Sequence, residues 1–274
     1  MFVEKTFKQF LVEEERSIGT IEKYIRDVRA FDEWLDGREV TKLTLLEWKG
    51  YLLDEKYKPV TVNAMLASVN AYLKFIGKED CKVKGLRVQH CTFRSEEKEL
   101  SAEEFRLLVE TAHRLKKERL CLLLETIGGT GIRVSEVKYI TVQAAQNGWT
   151  EISLKGKIRT IILPRKLCKK LLKYAKKNKI ASGEIFLTRS GKSMDRRLIW
   201  AEMKRLCMKA GIRASKVFPH NLRHLFARTF YKAHKNVVHL ADVLGHSNIE
   251  TTRFYLISTG TEHAQELEKL GLIC

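Results

Sequence analysis

Between Ser17 and Leu35 the apolar residues fall at Ile21, Tyr24, Ile25, Val28, Phe31, Trp34 and Leu35, a spacing that only a helix gathers onto one face. The same periodicity governs most of the chain. Residues 3–15 carry Phe7, Phe10 and Leu11 at helical spacing, and Ser17 or Thr20 is a candidate cap for the helix that follows. A third helix is expected over 44–55. A fourth starts at Pro59, a residue suited to a first helical turn, and runs through Val62, Met65, Leu66, Val69, Tyr72, Leu73 and Ile76. The chain is thus mainly α.

After Gly77 the pattern dissolves into a polar, aperiodic stretch at 78–99 that reads as a linker. The expected domains are 1–88 and 99–274, joined through 89–98. Helices resume at 100–112, where Ser101 and Glu104 form a capping box. Two strands stand out, 150–154 and 159–163, joined through Lys155-Gly156-Lys157-Ile158 as a β-hairpin with basic residues at its tip. A short strand at 185–187 is expected beside them. The remainder reads as helix.

Charge divides along the same boundary. Residues 1–98 hold 18 Lys and Arg against 17 Asp and Glu, whereas residues 99–274 hold 33 against 16. An excess confined to one part of the chain points to a polyanion, because phosphate contacts release condensed counterions. Part of it, at 166–179, also fits the wet face of a helix. Six cysteines without CxxC spacing fit reduced thiols in a cytoplasmic protein, and no signal peptide or membrane-length apolar run is read.

The residues suited to chemistry lie in four places. Gly128-Gly129-Thr130-Gly131 precedes Arg133, and the glycines are expected to turn the chain so that Arg133 projects from the first turn of a helix toward an anion. Lys155 and Lys157 sit on the hairpin. His220 and Arg223, three apart behind Pro219, share one helical face. His246 follows a helix-breaking Gly245, Ser247 and Glu250 cap the next helix, and Tyr255 lies about two turns on. Taken singly, these are a surface arginine, a basic helix and a core tyrosine with a wet hydroxyl. Taken together they suit metal-free phosphoryl transfer. Arginine forks neutralise non-bridging oxygens at any working pH, and a tyrosine holds the energy of the broken bond as an ester. A free phenol has a pKa of about 10, so cations and a histidine acceptor are needed to favour its ionised form. A hairpin lysine can reach the leaving oxygen. His220 and His224 have the spacing of a helical metal pair, but the intervening Arg223 and the basic surroundings argue for no metal site.

The ordered set TGIRVSE, LKGKIR, HNLRH and LGHSNIETTRFY resembles the phage-integrase, or tyrosine recombinase, family, and most closely its short Xer-type members. Thr20, Tyr24, Asp27, Phe31 and Trp34 match a pattern common in that family's N-terminal domain. The resemblance implies a four-helix SAM-like core-binding domain and a mainly helical catalytic domain with a small antiparallel sheet, clamped around double-stranded DNA. It implies that Arg133 and Arg223 grip the phosphate, with Glu136 the acidic residue near the first. His220 assists proton transfer, His246 hydrogen-bonds the phosphate, and Tyr255 is the nucleophile. Lys155 matches the general acid, although a hairpin one residue shorter than the common form leaves Lys157 as a second candidate. It further implies strand exchange without cofactors, of the kind mobile elements use, by a homotetramer on two DNA sites. A C-terminal helix at 262–271 would dock into a neighbouring subunit. The rival readings are a type IB topoisomerase-like nicking and religating enzyme, and an inactive family member that only binds DNA.

Overall fold

The computed structural model describes residues 4–87, 96–154, 157–246, 248–253, 255 and 268–269. They fall into two compact units, Met1–His90 and Cys91–Cys274. No helix among the described residues is long and apolar enough to cross a membrane.

The first unit consists of α1 (Glu4–Glu13), α2 (Ile18–Leu35), α3 (Lys42–Asp54) and α4 (Pro59–Phe75). Its core takes the stripe read from the sequence, with Ile21, Ile25, Val28, Phe31 and Leu35 buried against Phe7, Leu45, Trp48, Val62 and Val69. Phe31 and Trp48 meet edge to face at 4.9 Å. Ser17 stands at the N-cap of α2, but its hydroxyl bonds the Thr20 hydroxyl at 2.9 Å rather than a backbone amide. Pro59 opens α4 as expected. Asp27, matched above to a family pattern, is buried among apolar neighbours on α2. Its carboxylate is held by Lys23 and by the Ser68 hydroxyl of α4 at 2.7 Å.

The stretch from Lys78 differs from the linker expected there. Glu79–Cys81 forms a 3-10 turn, Cys81 and Val83 are buried, and the extended chain after them is fastened to α4. Asn63 accepts from the Leu86 amide and donates to its carbonyl, and Asn70 donates to the Val83 carbonyl. Two side-chain amides thus supply the backbone partners that a strand would otherwise need.

The second unit comprises α5 (Ala102–Arg114), α6 (Glu118–Thr130), α7 (Val142–Asn147), β1 (Trp149–Leu154), β2 (Lys157–Ile162), α8 (Arg165–Lys177), α9 (Arg196–Ala210), α10 (Pro219–His234), α11 (Val237–Leu244) and α12 (Ile249–Arg253). The Ser101–Glu104 capping box forms at both bonds. Helix α6, lined by Leu120, Leu123, Leu124 and Ile127, packs on α5, α8 and α10. The sheet is a single antiparallel pair in which Leu154 faces Lys157. Lys157 therefore belongs to a strand rather than to the connection. Among the described residues no third strand joins the pair. Ile185 and Phe186 are buried in the core, but they are flanked by single bridges, Thr141 to Glu184 and Leu187 to Ser193. The left-handed Gly191 sits in the turn that brings Ser193 back onto Leu187, so this segment pairs with its own continuation and with Thr141 rather than with β1 or β2.

Candidate active site

Local chain geometry places each arginine. The glycine run before Arg133 divides its labour in a way the sequence does not display. Gly128 and Gly129 lie inside α6, and a Cβ on Gly128 would stand 2.7 Å from the ring of Phe105. Gly131 alone turns the chain, at φ +64°, ending α6 with its amide on the Ile127 carbonyl. Arg133 then caps a six-residue 3-10 helix, Val134–Tyr139, instead of standing in the first turn of an α-helix. Its amide is not open to an anion, because Glu136 accepts both that N–H and the Arg133 guanidinium, each at 2.8 Å.

Glu136 is fully buried and accepts a second guanidinium, that of Arg159 on β2, also at 2.8 Å. Sequence reasoning missed Arg159. The available signal was the strand's alternation: Ile158 and Ile162 are exposed, whereas Arg159 shares the inward face with the buried Ile161. Burial presses the Arg159 pKa down to about 10, a shift that Glu136 opposes and that Arg223 and Arg133 reinforce.

Arg223, 1% exposed, is the hub. Pro219 starts α10, and Asn221 fixes its first turn by donating to the carbonyls of Lys98 and Lys216. Arg223 Nη1 donates to the Gly131 carbonyl at 2.6 Å, Nη2 to the Leu244 carbonyl at 2.9 Å, and Nε to the Tyr255 hydroxyl at 3.4 Å. Nη2 also lies 2.8 Å from His246 Nε2. Burial, then the proximity of Arg133, lowers its pKa from the ordinary arginine value.

His246 is set by the end of α11. Gly245 is left-handed at φ +64°, and the His246 amide bonds back to the Ala241 carbonyl. A Cβ on Gly245 would stand 2.2 Å from Cδ of Arg159, whose Nη2 donates to the Val243 carbonyl at 3.0 Å. The imidazole stacks on Tyr255, 5.6 Å between centroids at 10°, and its Nδ1 lies 2.8 Å from the Thr252 hydroxyl. Burial first, then Arg223, Arg133, Arg159 and His220, pushes its pKa down to about 4. His220 lies 6.2 Å from the Tyr255 ring. His224, weighed as half of a metal pair, packs against the same ring at 4.6 Å.

Arg133, His220, Arg223, His246 and Tyr255 thus line one cleft of about 470 Å³, together with Arg196 and Trp200 of α9, which the sequence did not single out. Lys155 lies outside the described residues, as do Ser247 and all of 262–271 except Glu268 and Lys269; of Lys157 only the backbone is described. In α12 the visible cap is Asn248, whose side chain accepts the Glu250 amide at 2.9 Å. Three guanidiniums gather around one carboxylate, so the cleft is built for an anion.

Comparison with known proteins agrees along the chain. Residues 98–261 match the model of the phage integrase family, and residues 5–80 match that of its N-terminal SAM-like domain. The chain is 30% identical to the tyrosine recombinase XerA of Thermococcus kodakarensis, with 96% of this chain and 94% of the relative covered. It is 24% identical to XerD of Staphylococcus aureus over 92% of each. In fold it is similar to XerH bound to its difH substrate (TM-score 0.70, 18% identity, 96% and 84% covered). It is likewise similar to lambda integrase in a tetramer on a Holliday junction (TM-score 0.70, 15%, 92% and 75%). With both domains matched in order and a tyrosine recombinase aligned almost end to end, the chain belongs to the phage integrase family.

Proposed function

We propose that this chain is a site-specific DNA recombinase that cleaves and rejoins strands through a 3′-phosphotyrosine intermediate, Tyr255 being the nucleophile. The observation that carries this reading is the convergence on Arg223. One buried guanidinium touches the Gly131 turn that presents Arg133, the imidazole of His246 and the hydroxyl of Tyr255. Three segments far apart in sequence, around Gly131, Arg223 and His246–Tyr255, meet at one cleft.

In the reaction, Tyr255 Oη attacks phosphorus while the bond to the 5′-oxygen breaks. Arg133 and Arg223 neutralise the non-bridging oxygens as charge grows on them. His246 donates to one of those oxygens, and His220 takes the phenolic proton. A hairpin lysine, Lys155 or in its place Lys157, protonates the leaving 5′-oxygen. Attack by a 5′-hydroxyl from a second duplex reverses these steps. The ester conserves the bond energy, so rejoining needs no nucleotide cofactor. Glu136 supports the site by holding Arg133 and Arg159.

The partner is double-stranded DNA, the first unit serving as core-binding domain and the second as catalytic domain. The assembly is a homotetramer on two DNA sites, a reading supported by the lambda integrase tetramer on a Holliday junction, with 262–271 reaching a neighbouring subunit. The protein acts in the cytoplasm with its thiols reduced.

A trapping assay tests the reading. DNA flanking the protein's own gene is nicked so that the 5′-hydroxyl fragment diffuses away, and protein–DNA adducts are counted after denaturation. Wild type is expected to accumulate adduct, and Tyr255→Phe none at unchanged DNA affinity. Equal adduct in Tyr255→Phe would mean another nucleophile. Tight binding without adduct from wild type would favour the DNA-binding rival. Supercoil relaxation by a monomer without site preference would favour the topoisomerase-like one.

A further inference from the structure

Thr252 takes no part in the chemistry above, yet two of the reacting groups rest on it. It lies in α12 and is fully buried. Its hydroxyl is 2.8 Å from Nδ1 of His246, and its carbonyl accepts the Tyr255 amide at 2.9 Å. The other imidazole nitrogen, Nε2, faces Arg223 Nη2 at 2.8 Å.

The protons can be counted. A guanidinium only donates, so Nε2 must present a lone pair to Arg223. The ring is neutral, since burial and the surrounding cations push its pKa down to about 4. A neutral ring with a bare Nε2 carries its proton on Nδ1 and donates it to Thr252 Oγ1. A scissile phosphate reverses the demand, because its non-bridging oxygens only accept. Nε2 must then donate. Either the ring becomes a cation, facing Arg223 and His220 of α10, Arg133, Arg159 of β2 and the phenol of Tyr255, or Nδ1 gives up its proton and accepts one from a neighbour. A carbonyl at that position could only accept, and a backbone amide could only donate. A hydroxyl does both.

We propose that Thr252 is a positioning residue that lets His246 change tautomer as the phosphate enters, Nδ1–H before and Nε2–H after, with the ring uncharged throughout. One proton leaves Nδ1 and one arrives at Nε2, both exchanged with water, so no net charge moves. The second half of this inference rests on the phosphoryl-transfer reading. The first half, the Nδ1–H ring of the free protein, does not.

The test uses the full chain in two arms. NMR of the imidazole nitrogens in DNA-free protein at neutral pH is expected to show His246 as Nδ1–H; an Nε2–H ring or an imidazolium overturns the proposal. Single-turnover adduct formation on nicked DNA is then compared among wild type, Thr252→Ser and Thr252→Val. Valine keeps the shape without the hydroxyl and is expected to slow cleavage about 30-fold, or roughly 2 kcal/mol. Its pH profile should move toward acid, because without a hydroxyl donor at Nδ1 the neutral Nε2–H ring is held less well and protonation becomes the competing way to place a donor on Nε2. Serine should stay within about threefold of wild type. Equal losses in the two variants, or a valine variant with wild-type rate and profile, overturn the proposal. Should valine prevent folding, the serine variant and the NMR signal still decide. A wild type that forms no adduct defeats the recombinase reading instead, and the NMR arm then decides the free-protein half on its own.

Discussion

Among the described residues each unit buries one carboxylate, and the two are used differently. Asp27 in the first unit is met by Lys23, one turn away on its own helix, and by the Ser68 hydroxyl of α4. Lys23 is about one-third exposed, so water shares its charge. A second cation, Arg26, stands 3.6 Å from the carboxylate but lies largely in water, so the cluster buries no surplus charge and serves as a clip between two helices. Glu136 in the second unit is met by Arg133 and Arg159, with Arg223 close behind. That cluster carries more positive charge than it can neutralise, and part of the surplus, Arg133, still reaches solvent. A buried carboxylate whose cations sit in water belongs to the fold. One ringed by buried guanidiniums is waiting for an anion.

The contrast can be broken most severely at Glu136. Glu136→Gln leaves two guanidiniums without their counter-charge and should cost the second unit about 3–5 kcal/mol, read from hydrogen exchange of its core amides. Added sulfate or DNA should restore part of that loss, and failure of either to do so would mean the cluster is no anion site. A smaller effect is expected from acid. His246 has a folded pKa of about 4 against an ordinary 6.5, so below 6.5 the unfolded chain takes up a proton that the folded one refuses. Stability of the second unit should hold above pH 6.5 and fall as pH drops toward 4, by at most roughly 3 kcal/mol. Residues 4–87 contain no histidine, so the helical core of the first unit should not respond until carboxylates titrate. The same exchange experiment, run across pH, separates the two. Asp27→Asn should have the mildest effect, about 1–2 kcal/mol in the first unit alone, with adduct formation per bound protein unchanged.

What could be read in advance follows the same division. The stripe on α2, Pro59 of α4 and the Ser101 capping box are local patterns, and local chain physics fulfils them. Arg133, His220, Arg223, His246 and Tyr255 were legible as an ordered set of motifs, although nothing in their spacing gives a distance between them. Arg159 and Thr252 were not legible. Their importance comes from what the fold brings against them, Glu136 in one case and an imidazole nitrogen in the other. The stretch after Gly77 was misread for a similar reason, since the amides that fasten it belong to Asn63 and Asn70, far back on α4. The apolar run at 185–187 looked like a strand because burial alone selects the same residues that pairing does.

The joint before His246 also limits how this sequence can drift. Gly245 is required twice, by its left-handed backbone and by the Arg159 side chain lying where a Cβ would go. Every amino-acid replacement that a single base change can make at a glycine codon introduces a Cβ, so the position is closed to one-step substitution while Arg159 stays. A shorter residue at 159 would open the space, leaving only the modest cost of a left-handed non-glycine backbone. The two positions are therefore coupled in order as well as in space. In descendants of this sequence, a change at 245 should be found only on backgrounds where 159 has already changed.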